Sequence, residues 1–148
     1  MVHGLGDFFL DGFDFMVPTR RGTRLPGVRL RVRRLTADEV VPVGGMPALT
    51  VERMIADLVD LRIDRSLVAG VVRDAVRADR LVALDRLVAH LAMHGRDGRA
   101  LAADLFEDAG VTVKGWSRWA EVTGPRYLDA DHGPHHSTGS RQKDRYTF

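Results

Sequence analysis

The sequence predicts an α+β domain: a small antiparallel sheet on the N-terminal side, packed on a bundle of about four helices. Three observations lead there. Residues 12–43 contain runs that alternate apolar and polar side chains with the two-residue period of strands. From residue 50 to 110 the apolar side chains instead recur three and four apart, as on helices with one buried face. Between the two regimes stand Gly44, Gly45 and Pro47, which prevent a regular element from running through.

Residues 12–17 read as a strand, with Phe13, Phe15 and Val17 on its buried face. Pro18, Gly22, Pro26 and Gly27 make the next stretch a loop. Val28-Arg29-Leu30-Arg31-Val32-Arg33 is the clearest alternation in the chain; it predicts Val28, Leu30 and Val32 facing the core and Arg29, Arg31 and Arg33 in a row on the other face. A third run, Glu39–Val43, contains Pro42, which cannot donate to a ladder and so marks a sheet edge or strand end.

A first helix starts at Thr50, whose hydroxyl suits an N-cap, with Val51, Met54, Ile55, Leu58 and Val59 forming its stripe. Glu52 falls in the first turn, where the helix dipole favours an acid, and Arg53 and Asp57 are spaced to pair. A second helix is expected over about 65–80, with Leu67, Val68, Val71, Val72, Ala75 and Val76 inward. Leu84, Leu87, Val88 and Leu91 predict a third that ends near His94-Gly95. Asp97 caps a fourth, with Leu101, Ala102, Leu105 and Phe106 inward and Gly110 as its stop. Residues 12–123 are thus expected to form one domain, residues 1–11 a lead-in from a missing upstream part, and the polar residues 124–148 a flexible tail.

Composition excludes several classes of chemistry. Without cysteine there is no disulfide framework, thiolate zinc site or cysteine nucleophile. No apolar run reaches the roughly 20 residues that span a bilayer, so the expected location is cytoplasmic, without membrane contact. No nucleophile elbow, phosphate-binding glycine loop or zinc-protease helix motif is present, and the acids are scattered at helix-pair spacings. No cofactor or catalytic residue is expected.

Net charge is only +2, but Arg20, Arg21, Arg24, Arg29, Arg31, Arg33 and Arg34 share one window free of acids. Guanidinium groups at strand spacing suit phosphates or carboxylates, which makes this group the candidate surface for a protein partner or nucleic acid. A solvated face that deters sheet-edge pairing is the plainer alternative, because the patch lacks the interleaved exposed aromatics that stack single strands. His132, His135 and His136 lie in the tail, and His90 and His94 are four apart on the third helix; no metal site is expected from either group. Trp116 and Trp119 could anchor a partner, but packing over the helices is the favoured reading.

Residues from about Gly12 to Gly110 resemble the C-terminal domain of the AbiEi family, antitoxins of type IV toxin–antitoxin systems. The resemblance is carried by Gly45-Met46-Pro47-Ala48-Leu49-Thr50-Val51-Glu52-Arg53-Met54-Ile55-Ala56-Asp57-Leu58, with Met54 where many relatives have threonine. It implies a non-catalytic regulatory domain opposing a nucleotidyltransferase-like toxin, typically without a stable complex. The motif residues Pro47, Thr50, Glu52, Arg53 and Asp57 are expected to be structural. Family members usually carry an N-terminal winged helix that binds their promoter, and residues 1–11 show no such pattern. The alternative expectation is a DNA-binding transcriptional regulator or its truncated remnant.

Overall fold

A computed structural model describes residues 3–6 and 12–122, and the α+β class holds. The elements are β1 (Phe13–Val17), β2 (Val28–Val32), a 3-10 turn (Ala37–Glu39), β3 (Val40–Val43) and β4 (Met46–Leu49). They are followed by α1 (Val51–Asp60), α2 (Arg65–Arg77), α3 (Leu84–Leu91), a 3-10 turn (Met93–Gly95), α4 (Gly98–Ala109) and α5 (Trp116–Val122). A first compact unit ends at Trp116. The remainder of the expected lead-in, at 1, 2 and 7–11, and the expected tail at 124–148 lie outside the described residues.

The strands do not form one antiparallel sheet. β1 and β2 pair in parallel, from Phe13 opposite Val28 to Val17 opposite Val32, while β3 and β4 form a separate antiparallel hairpin. The tight turn in the connection, Leu25–Val28 with Val28 N–H donating to the Leu25 carbonyl at 3.3 Å, comes only just before β2, so the chain has already run back along β1 when it turns. Close approach at the start of the pair requires glycine: Phe13 N–H donates to the Gly27 carbonyl at 2.6 Å, and a Cβ on Gly12 would stand 2.1 Å from that oxygen.

The hairpin turns on Gly44 and Gly45, both with positive φ (59° and 81°), as a two-residue loop matching the strand twist demands. Pro42 faces Pro47 across it. Antiparallel pairs alternate between bonded and non-bonded positions, and two facing prolines fit only the second, where a missing N–H costs nothing. β4 was not expected from the sequence, although two glycines between Val40–Val43 and Met46–Leu49 are a hairpin signal.

The helices follow the predicted stripes closely. Ile55, Val68, Val71, Val72, Leu87 and Leu91 are fully buried, joined by Ala102, Leu105 and Phe106. Leu67, expected inward, is exposed. Thr50 and Asp97 cap α1 and α4: the Thr50 hydroxyl accepts from Arg53 N–H at 3.4 Å, and Asp97 Oδ1 from Arg99 and Ala100 N–H at 3.0 Å. Gly110 ends α4 in the left-handed conformation. α3 stops at Leu91, earlier than expected, and His94 takes a φ of 65° in the turn beyond it. No helix among the described residues is long and apolar enough to cross a membrane.

Two contacts tie the periphery to this core. Leu5 is buried with the helices. His3 accepts at Nδ1 from Arg80 (2.7 Å), which fixes the proton on Nε2 for donation to the Leu49 carbonyl at 2.6 Å. Residues 3–6 thus belong with the core of the unit, where the sequence reading had only a severed lead-in.

Gly98 marks the closest approach of α4 to α3, since a Cβ there would lie 2.2 Å from the Val88 carbonyl oxygen and 2.7 Å from Ala92 N. Alanine ordinarily stabilises a helix interior by about 1 kcal/mol over glycine; Gly98→Ala should instead lower the melting temperature. Leu87→Ala should cost about 2–5 kcal/mol in urea unfolding, as truncations in well-packed cores do.

Candidate functional site

The motif that opens α1 folds around a buried charge. Arg53, only 5% exposed at its side chain, donates from Nη1 to Glu39 Oε1 at 2.7 Å and from Nε to Asp57 Oδ1 at 3.1 Å. Glu39 is held in turn by the Thr36 N–H and hydroxyl, at 2.7 and 3.1 Å from Oε2, with His90 Nδ1 at 3.6 Å from Oε1. One guanidinium therefore joins the 3-10 turn before β3 to α1, with α3 alongside. Arg53 and Asp57 were expected as a helix pair; the third partner, Glu39, was not. Its signal was Thr36-Ala37-Asp38-Glu39, a capping-box pattern.

Glu52 is also buried, and its role differs from the expected one at the end of its own helix. Its Oε1 accepts from the Val82 and Ala83 N–H groups at 3.1 and 3.0 Å. α3 begins at an alanine that cannot cap it, so Glu52 caps it from α1. Thr50, Glu52, Arg53 and Asp57 are thereby all engaged in holding the fold, while Pro47 sits in β4 opposite Pro42.

The two carboxylates around Arg53 titrate in opposite directions. Burial is the strongest influence on Asp57 and raises its carboxyl above the ordinary 3.8, against the pull of Arg53 and of Arg33. Asp57 Oδ2 is the single buried side-chain oxygen or nitrogen among the described residues without a hydrogen bond. Burial also pushes Glu39 upward, but the Thr36 N–H, Arg53 and the Thr36 hydroxyl outweigh it and bring the carboxyl below the ordinary 4.5.

The arginine group divides into two sets. Asp14 Oδ1 accepts from Arg29 Nε at 3.1 Å and Arg31 Nε at 2.9 Å, and Arg33 donates to the Val32 carbonyl at 3.1 Å. Arg20, Arg21, Arg24 and Arg34 are exposed and form no hydrogen bond or ion pair with described residues. The free cations are therefore not the predicted strand row but the loop beside it and the residue after it.

The predicted burial of the ribbon's apolar face is not observed. Phe13, Phe15 and Val32 are 68%, 54% and 46% exposed, whereas the Asp14 side chain on the opposite face is only 14% exposed. The apolar face of the β1–β2 pair is open, and the polar face, where Arg33 feels the charge of Asp57, is the more covered one. Alternation identifies two faces but does not say which one is left open. The ground on which aromatic stacking was set aside is thus removed.

His90 and His94 do not share a helical face: His90 lies against Glu39, and His94 is exposed with Nε2 3.8 Å from Asp60 Oδ2. No cluster of three metal-ligating side chains occurs among the described residues, and His132, His135 and His136 lie outside them. Trp116 packs edge-on against Phe106, with ring centroids 4.9 Å apart, in agreement with the packing reading. A cavity of about 230 Å³ between α1, α2 and α4 is lined by Val59, Ile63, Val68 and Leu101, but Arg65 at its rim is already paired with Asp104 and Asp108.

No protein-family profile matches this chain, and no curated protein or solved structure is found to resemble it.

Two expectations concern the buried charges. Arg53→Met leaves Glu39 and Asp57 without their counter-ion and should cost about 3–5 kcal/mol in chemical denaturation; replacing all three with apolar residues of similar volume should cost far less. The second is a pH effect. Asp57, with its raised carboxyl, favours folding most below pH 3.8 and loses that contribution as pH rises through its folded value. Glu39 contributes stability above pH 4.5 that is lost as pH falls through its lowered value. Unfolding curves between about pH 3 and 7 should therefore show wild type losing ground to Asp57→Asn as pH rises, and gaining on Glu39→Gln.

Proposed function

We propose that this chain is a non-catalytic regulatory domain of the antitoxin type, cytoplasmic, opposing a nucleotidyltransferase-like toxin. One observation carries most of the weight. The segment Gly45–Leu58, which bears the antitoxin resemblance, forms a strand, cap and helix whose charged side chains Glu52, Arg53 and Asp57 are all engaged within the fold. Groups tied up in this way hold a scaffold and are not poised for acid, base or nucleophilic chemistry. Outward-facing cations without a partner among the described residues include Arg20, Arg21, Arg24 and Arg34, on and beside the β1–β2 ribbon.

A second reading, a DNA-binding transcriptional regulator, is favoured by the exposed cations Arg20, Arg21, Arg24 and Arg34. It requires that binding to a promoter duplex weaken steeply with salt, by a slope of about −0.9 per phosphate neutralised.

Co-expression with a nucleotidyltransferase-like toxin separates the two. Wild type should restore growth, and a folded Arg20→Ser/Arg21→Ser/Arg24→Ser variant should fail to do so. Arg29→Ser/Arg31→Ser should retain most of the rescue, because those side chains are already occupied by Asp14. If well-expressed, folded wild type leaves the toxin unopposed, the antitoxin reading is wrong.

A further inference from the structure

The open face of the β1–β2 ribbon carries three exposed apolar side chains, Phe13, Phe15 and Val32. Phe13 and Phe15 lie two residues apart on one strand, so their rings stand on one face at a separation of about 6.6 Å, two strand rises. Val28 and Leu30 are their partners on β2, half-buried, and form a floor beside them. The residues of the connection from Val17 back to Val28 are exposed, and because the pair is parallel this connection must travel the full length of the ribbon. Arg20, Arg21 and Arg24 lie on this returning connection, with Arg34 just beyond the end of β2. Residues 12–34 hold seven arginines and a single acid, Asp14, which is turned to the other face and occupied by Arg29 and Arg31.

From this we infer that the Phe13–Phe15 face and the arginine loop together form a binding site for single-stranded nucleic acid. Every base has a π-face that can lie on an exposed ring, and arginines without carboxylate partners neutralise the phosphates between the bases. Charge decides against the other occupants. A second copy would bring two strongly cationic ribbons together, and a protein partner would have to offer carboxylates along the whole loop. A nucleic-acid strand carries its negative charge at regular intervals without that requirement. Single strands are favoured over duplex because no basic helix among the described residues stands ready to enter a groove, whereas flat rings can accept unpaired bases.

The inference is independent of the antitoxin reading and is tested without a toxin. Fluorescence anisotropy is measured with a labelled oligothymidylate of about twelve nucleotides, a duplex of equal length, and polyglutamate as competitor. Wild type should bind the single strand more tightly than the duplex. Both phenylalanines are exposed, so their replacement should leave the melting curve unchanged. Phe13→Leu and Phe15→Leu keep an apolar face but remove the ring, and each should weaken binding about tenfold or more; Phe15→Tyr should retain it. Replacing Arg20, Arg21 and Arg24 with serine should make the salt slope shallower by about two units. Absence of binding at low salt would overturn the inference, as would equal affinity for duplex. Unchanged affinity in the leucine variants would reduce the surface to a cationic patch. Displacement by polyglutamate as effective, charge for charge, as by unlabelled strand would assign the face to an acidic protein instead.

Discussion

Burying Arg53 is the constraint on which the rest of the first unit depends. A guanidinium withdrawn from water costs several kcal/mol unless its donors are matched, and here Glu39 and Asp57 match two of them from different elements. Because Glu39 sits at the end of the 3-10 turn, the requirement fixes where β3 begins. Because Asp57 is one turn along α1, it also sets the rotation of that helix. Glu52, on the same helix, then reaches the start of α3. Three charged side chains within six residues thus orient the hairpin, α1 and α3 before the apolar stripe makes its contribution.

The same arrangement explains why the charged residues of Gly45–Leu58 offer little outward chemistry. They point into the interface between hairpin and helices and are consumed there. Asp57 Oδ2 remains without a donor, and the charge of Arg33, just beyond the ribbon, pulls its carboxyl downward. It links the ribbon electrostatically to the charge network inside the unit.

The helical half was legible in the sequence because helix signals are local. A stripe at three and four residues, Thr50 and Asp97 ahead of it and Gly110 behind it leave few alternatives, and the observed elements follow. The exception, Leu67, lies in the first turn of α2, where a stripe has not yet been enclosed by neighbours. The strand half was less legible. Its alternation named the strands correctly but not their direction, their partners or their inner face, all of which depend on residues far along the chain. The second hairpin strand was not legible because Gly44, Gly45 and Pro47 together read as a break, whereas the glycines form the hairpin turn and Pro47 stands in the strand opposite Pro42.

The candidate site shows the same division. That arginines cluster in residues 20–34, and that Thr50, Arg53 and Asp57 belong together, could be read from residue type and spacing alone, since caps and helix pairs close within one turn. That Asp14 occupies Arg29 and Arg31, that Glu39 completes the pairing of Arg53, and that Phe13 and Phe15 face outward was decided only by tertiary structure. The physical reason is that a two-residue period gives both faces of a strand equal standing. Only the tertiary structure decides which side chains are left open, and here Phe13, Phe15 and Val32 are exposed while Asp14 is covered by Arg29 and Arg31.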